Sequence, residues 1–193
     1  MKRCMSVGCL LLGLALTPRA EACTGITLRA ADGACIVART IEWGGSNLNS
    51  RYVVVPRGYA QRSYTPEGID GMRFTARYGY VGLAVEQKEF VAEGLNEEGL
   101  SAGLFYFPGY GRYEAYDPAR RDESIADLQL VAWLLGECRT VDEVQEAVGR
   151  VRVVAVDPRA STVHWRSPIL RAGSLCWRSS TDVRSSTRTP SGC

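Results

Sequence analysis

TPRAEACTGITLRAADGACIVARTIEW, residues 17–43, is the stretch on which the reading of this chain turns. Ala20-Glu21-Ala22 has the A-x-A form of a secretory cleavage site, and Cys23 follows it directly. Upstream, Met1-Lys2-Arg3 is a basic start, and MSVGCLLLGLALT is an apolar run too short to cross a bilayer comfortably. Residues 1–22 are therefore expected to be a removed signal peptide, leaving an exported chain that begins at Cys23. The competing expectation is a lipoprotein acylated on Cys23. That would call for an aliphatic residue three places before the cysteine and a small uncharged one two before, where this chain has Ala20 and Glu21.

Cysteine usage singles out the same residue. Of seven cysteines, Cys4 and Cys9 fall in the leader and Cys176 and Cys193 in an unusual tail, leaving Cys23, Cys35 and Cys138. Three cysteines make no disulfide framework. The chain has one histidine, His164, read as structural, and no C-x-x-C or Cys/His cluster, so no metal or other cofactor is expected. A nucleophilic cysteine would therefore need another base. An α-amino group titrates at about 7.7–8.0, so an N-terminal cysteine carries nucleophile and base on one residue.

The chain after Cys23 reads as strands first and helices later. TGITLRA and CIVARTIEW flank ADG, a hairpin signal that puts Cys23 at a sheet edge. RYVVVPRG, YGYVGLAVE, FVAEGLN and LSAGLFYF are further strand candidates. In DESIADLQLVAWLLGEC, the spacing of Ile125, Leu128, Val131, Leu134 and Leu135 predicts an amphipathic helix. Thr140 and Glu143 form a capping-box pattern at the start of a second. The order predicts a layered α+β domain. A formal charge of +2 gives no case for nucleic acid.

CTGITL, IVARTIEW, YVVVPRG, EGLNEEGLSAGLFYFPGY and VHW, in this order from Cys23 to about Trp165, resemble the choloylglycine hydrolase family. This family of N-terminal-nucleophile amidases includes bile salt hydrolases and penicillin V acylases. The resemblance implies an αββα four-layer sandwich and hydrolysis of a linear amide through a thioester acyl-enzyme. It makes Cys23 the nucleophile, Arg39 the cation beside it, and Glu42 the acid that orients the α-amine, where better-known members carry Asp. Phe105 or Tyr106 falls at the substrate pocket and oxyanion hole; Tyr106 is the nominee for the pocket. PGYGRYEAYDP, residues 108–118, reads as an aromatic lip for an apolar acyl group or as a plain surface loop. Trp43 and Trp165 are expected in the core. The implied partner is a small-molecule amide: an N-acyl homoserine lactone, penicillin V or a conjugated bile salt. No stable membrane anchor is expected; relatives are commonly homo-tetramers. A non-catalytic exported or lipid-anchored surface protein is the alternative.

From Arg166 the text changes to a Ser-, Arg- and Thr-rich tail whose composition reads as disorder. A frameshift is the other reading. GC-rich codons for this tail, read from the third base of the Arg166 codon, give VADPAGRQPVLEVVDGRPVVHENPVGVL, with two hairpin signals in register. The expected organisation is thus a signal peptide over 1–22, the N-terminal half of the hydrolase domain over 23–165, and a frameshifted tail over 166–193. On that reading the 193-residue chain is an inactive part of an amidase, because the resemblance places an oxyanion-hole asparagine and a further arginine beyond the break.

Overall fold

The computed structural model describes residues 23–32, 34–43, 47–106, 112–157, 163–168, 174–178 and 187–189; residues 1–22 lie outside the described residues. The first element is the hairpin expected from the opening stretch. Strands β1 (Gly25–Arg29) and β2 (Cys35–Arg39) pair antiparallel from Gly25↔Arg39 to Arg29↔Cys35. The turn closes through Ala30 N–H to Ala34 O at 2.8 Å, and Asp32 Oδ1 accepts from Ala34 N–H at 2.9 Å. That side-chain bond is the reason Asp suits the turn.

Behind the hairpin lies an antiparallel seven-stranded sheet in the order β13-β12-β11-β8-β7-β6-β3. Its strands are β3 (Arg51–Val55), β6 (Tyr80–Ala84), β7 (Val91–Asn96), β8 (Ser101–Tyr106), β11 (Val163–Pro168), β12 (Ser174–Arg178) and β13 (Thr187–Thr189). A short hairpin, β4 (Ala60–Arg62) with β5 (Arg73–Thr75), and a parallel pair, β9 (Ser124–Ala126) with β10 (Arg152–Val154), lie outside it. β11 runs on past Trp165, and β12 and β13 continue the sheet where composition alone reads as disorder. The backbone of those described residues is extended rather than structureless, because antiparallel pairing satisfies it whatever the side chains.

Two helices cover one face. α1 (Leu130–Glu137) is buried from Leu130 to Gly136, so it is apolar all round rather than amphipathic. It is also shorter than the periodicity over 122–138 predicts. Ile125 lies in β9, opposite Val153, and Leu128 in a single 3-10 turn, Asp127–Gln129. The parallel strand pair takes the first part of the apolar pattern. Gly94 in β7 lets α1 approach closely: a Cβ there would sit 2.5 Å from Leu135 Cδ1 and 2.8 Å from Val81 O.

α2 (Val141–Val148) starts as expected on Thr140, whose hydroxyl accepts from Glu143 N–H at 3.1 Å. The reciprocal bond is displaced by one residue. Glu143 reaches the Arg139 N–H at 2.8 Å and its Nε at 2.9 Å instead of the Thr140 N–H. The Arg139 side chain adds a charge-assisted bond there, which favours the shift.

Asn96, at the end of β7, joins the sheet to the helices. Its Oδ1 accepts from the Glu98 and Leu100 N–H groups at 3.1 and 2.9 Å. Its Nδ2 donates to Leu135 O and Cys138 O at 2.9 and 2.7 Å. The tight turn to β8 and the end of α1 thus share one buried side chain, with Gly99 supplying φ +83°.

Asp127, in the 3-10 turn that leads into α1, is fully buried. Burial pushes its carboxyl up to about 7; the Leu128 and Val156 amides and the Tyr113 hydroxyl pull it back, and Asp157 pushes it further up. The folded state therefore keeps a proton that the unfolded chain releases near 3.8. That stabilisation is complete below the unfolded value and is lost as pH rises through about 7. Asn in its place keeps an acceptor for Leu128. Asp127→Asn is expected to flatten the fall in melting temperature as pH rises from 3.8 to about 7, read by thermal melts. Gly94→Ala is expected to destabilise by about 1–3 kcal/mol, the usual cost of overpacking, read by denaturant unfolding.

Candidate active site

The strands of the sheet end together beside the hairpin. Val85 and Glu86 follow β6, Ala92 is the second residue of β7, Leu104 and Tyr106 close β8, and Val163 begins β11. With Cys23, Arg39, Ile41, Glu42 and Trp43 they line a cavity of about 80 Å³, room for about two or three waters at their liquid volume. Its wall is mostly apolar, and Cys23, Arg39, Glu42 and Tyr106 all line it.

Each polar group is placed by local structure. Arg39 is the last residue of β2, opposite Gly25, and is partly buried. Its Nη1 donates to Leu104 O at 2.6 Å and Ala92 O at 3.2 Å, and its Nε to Thr40 O at 3.1 Å. Cys23, also partly buried, precedes β1 by two residues. The strand register is carried past the hairpin by Thr40 N–H to Thr24 O at 2.8 Å.

Glu42 is exposed at the cavity mouth. It connects to the neighbourhood of Cys23 through Thr40: the hydroxyl accepts from Thr24 N–H at 3.1 Å and donates to Glu42 Oε1 at 3.0 Å. The carboxylate thus acts on the backbone one residue beyond the cysteine. Sequence reasoning missed Thr40, although it stands between Arg39 and Glu42 in RTIEW.

The two aromatic candidates separate. Tyr106 lines the cavity and meets Trp43 edge-on, with ring centroids 4.8 Å apart. Trp43 is therefore a wall of the cavity rather than core. Phe105 is 3% exposed and is not among the cavity-lining residues. Successive strand residues point to opposite faces, and Phe105 lies under the hairpin, stacked on His164 at 5.5 Å. The Arg39 guanidinium covers its ring at 4.4 Å and that of Arg166 at 5.3 Å. A Cβ on Gly25 would reach this ring at 2.7 Å, so glycine is what lets β1 pack there.

Of the expected aromatic lip, residues 108–111 lie outside the described residues. Tyr113 packs on Trp165 at 6.0 Å, and Tyr116 bonds to Glu67. Trp165 is core, at 1% exposure.

Two further acids, Glu86 and Asp157, line the cavity with no signal in the sequence. Leu48 and Glu86 adopt φ of 61° and 60°, unusual for residues other than glycine. Their turns hold one another: Glu86 N–H donates to Leu48 O at 2.7 Å, and the Asn49 amide to Glu86 Oε2 at 3.3 Å. Strain of this kind persists only where neighbours impose it, and here it shapes the cavity wall. The third described cysteine, Cys138, is buried, and burial pushes its thiol up to about 12, which makes it inert. Among the described residues no group of His, Cys, Asp and Glu could hold a metal.

Comparison with known proteins adds the context. Residues 23–168 match the profile of the linear amide C-N hydrolases, choloylglycine hydrolase family. A bile salt hydrolase/transferase of Bifidobacterium longum is 28% identical over 146 residues, covering 74% of this chain and 45% of that protein. One from Clostridium perfringens is 26% identical over 151 residues, covering 74% and 44%. A conjugated bile acid hydrolase structure from Clostridium perfringens superposes with a TM-score of 0.71 at 22% identity, over 86% of this chain and 51% of that one. Penicillin V acylase from Agrobacterium tumefaciens gives 0.67 at 17%, over 88% and 50%. The chain spans about half the length of these relatives and has the matching part of the N-terminal-nucleophile hydrolase fold. Helices, sheet and hairpin, together with the match over residues 23–168, make this chain a member of the choloylglycine hydrolase family of linear amide C-N hydrolases.

Proposed function

We propose that this chain carries the nucleophile half of an exported amidase that cleaves linear amides through Cys23. The observation that carries the reading is the cavity where Cys23, Arg39, Glu42 and Tyr106 meet. Removal of residues 1–22 frees the α-amine of Cys23, which takes the thiol proton. The thiolate attacks the amide carbonyl, and the same amine hands the proton to the departing nitrogen. Water then cleaves the thioester and regenerates the thiol. Arg39 is the cation on the cavity wall that it shares with Cys23. Glu42, through Thr40 and the Thr24 amide, holds the chain end on which the amine sits.

The Trp43–Tyr106 pair and the aliphatic wall suit an apolar acyl group. Acyl homoserine lactones and aromatic acyl amides such as penicillin V are the first choices, ahead of conjugated bile salts. The reading also takes the segment from Arg166 as out of frame, the 193-residue chain as inactive by itself, and the full-length form as a homo-tetramer.

Resequencing across His164–Arg171 tests the frame, and a restored base is the expected result. With the frame restored, hydrolysis of the three amide classes is expected to be fastest for the lactones and aromatic acyl amides. Cys23→Ala abolishes it. Thr40→Val, which removes a net hydrogen bond of about 1 kcal/mol, lowers kcat/KM by about fivefold. Intact mass separates the alternative. An unmodified chain starting at Cys23 supports the amidase, and a diacylglyceryl adduct on that residue supports a lipid-anchored surface protein. Amide turnover by the 193-residue chain purified alone would contradict its assigned inactivity.

A further inference from the structure

Beside the cavity, two turns take a backbone conformation that their residues disfavour. Leu48 and Asn49 lead into β3, and Glu86 follows β6. These strands pair from Arg51↔Ala84, so both turns lie at one end of the same strand pair. Leu48, Asn49 and Glu86 have φ of 61°, 38° and 60°. An L-residue there crowds its Cβ against the following carbonyl, and of these three only asparagine adopts it readily. The other positive φ values among the described residues belong to Gly58, Gly68 and Gly99. The strain is thus confined to one place, and that place is the cavity, since Leu48, Val85 and Glu86 all line it.

The two turns impose the strain on each other. Glu86 N–H donates to Leu48 O at 2.7 Å, Asn49 Nδ2 to Glu86 Oε2 at 3.3 Å, and Arg51 Nη2 to Glu86 O at 3.4 Å. The amide, side chain and carbonyl of Glu86 are each engaged by the stretch from Leu48 to Arg51. Asn49 N–H is held in turn by Asn47 Oδ1 at 3.3 Å. Strained backbone persists only where neighbours over-determine it, and it concentrates at functional sites. A plain turn would be served by glycine, as at the other three positions. What the strained residues add is a braced side-chain wall: Leu48 and Val85, with Ile41 and Leu128, make the aliphatic part of the cavity.

We propose that Glu86 is a specificity-determining residue: clamped to Leu48 and Asn49 in this strained conformation, it fixes the Leu48 and Val85 part of the wall and so limits the acyl group that fits beside Cys23. This rests on reading the cavity as the acyl site of a Cys23 amidase. The clamp needs left-handed backbone and an acceptor on the side chain of residue 86; it does not need the charge.

The test is protection of Cys23 from iodoacetamide in the full chain by hexanoate or decanoate, acids of the kind a linear amide releases, followed by peptide mass. It needs no turnover. Cys35, at the far end of the hairpin, is the internal control. Glu86→Gly is expected to raise the half-protecting concentration of hexanoate by about fourfold, the worth of one buried methylene. That of decanoate is expected to rise by less than about twofold, because a longer chain depends less on any one part of the wall. Glu86→Gln keeps the acceptor and is expected to match the parent. Glu86→Gly and Leu48→Gly are expected to melt about 2–4 °C above Glu86→Ala and Leu48→Ala, which keep the strain.

If neither acid protects Cys23 in the parent, the acyl-site reading fails and takes the proposal with it. If both protect the parent and Glu86→Gly leaves hexanoate unchanged, or weakens the two acids alike, the specificity role is overturned and the acyl-site reading survives. Glycine variants that melt no higher than the alanine ones, or Glu86→Gln as weak as Glu86→Gly, mean that no strained clamp holds the wall and overturn the proposal as well.

Discussion

Arg39 ties the N-terminal hairpin to the sheet. Its two bonds to the Ala92 and Leu104 carbonyls cross from β2 to β7 and β8, and its face covers Phe105. Hydrogen bonds to a charged group are worth about 1.5–3 kcal/mol each, more than neutral ones. They are also directional, so they set where the hairpin lies as well as whether it stays. With β2 fixed in this way, antiparallel pairing fixes β1, and β1 fixes Cys23 two residues ahead of it. The cavity forms between the hairpin and the strand ends because one guanidinium defines their distance.

The sheet itself is held to the helices by a different device. Asn96 spends all of its amide on the turn between β7 and β8 and on the end of α1. A buried amide costs free energy unless it is fully bonded, so this side chain specifies one arrangement of turn and helix. Gly94, two residues earlier, lets α1 come close enough for that bonding. The same two strands thus present carbonyls to Arg39 near one end and an anchored turn at the other.

This division explains what the sequence revealed. Strands with clear alternation and punctuation, β1, β2, β3, β6, β7 and β8, are legible because local pattern and fold agree. The capping threonine of α2 is legible for the same reason. The start of α1 is not, since Ile125 and Leu128 fit a helical spacing while β10, distant in sequence, recruits Ile125 into a strand pair. Cys23, Arg39, Glu42 and Tyr106 could be picked out because they lie in short motifs. Glu86 and Asp157 could not, because their proximity to the site depends on turns far apart in the chain. Phe105 and Tyr106 illustrate the limit: they are adjacent in sequence, and the pleat alone sends one to the cavity and the other to the guanidiniums.

Apolar surface points to what the fold still leaves to be satisfied. Ile26, Leu28 and Ile36 form the outer face of the hairpin at 47%, 54% and 56% exposure. On the sheet, Val54, Val81 and Leu95 are paired in a row across β3, β6 and β7 and are likewise exposed. Exposed apolar area forgoes about 25 cal/mol per Å² of stabilisation, and contiguous patches of it favour association. The hairpin's inner face, by contrast, carries Gly25, Thr27, Val37 and Arg39 and packs on the sheet. An element with its aliphatic side outward and its small and charged side inward is built to sit in the middle of a stack, with a layer on each side. Helices, sheet and hairpin supply three layers of an αββα sandwich, and the aliphatic face of the hairpin marks where the fourth belongs.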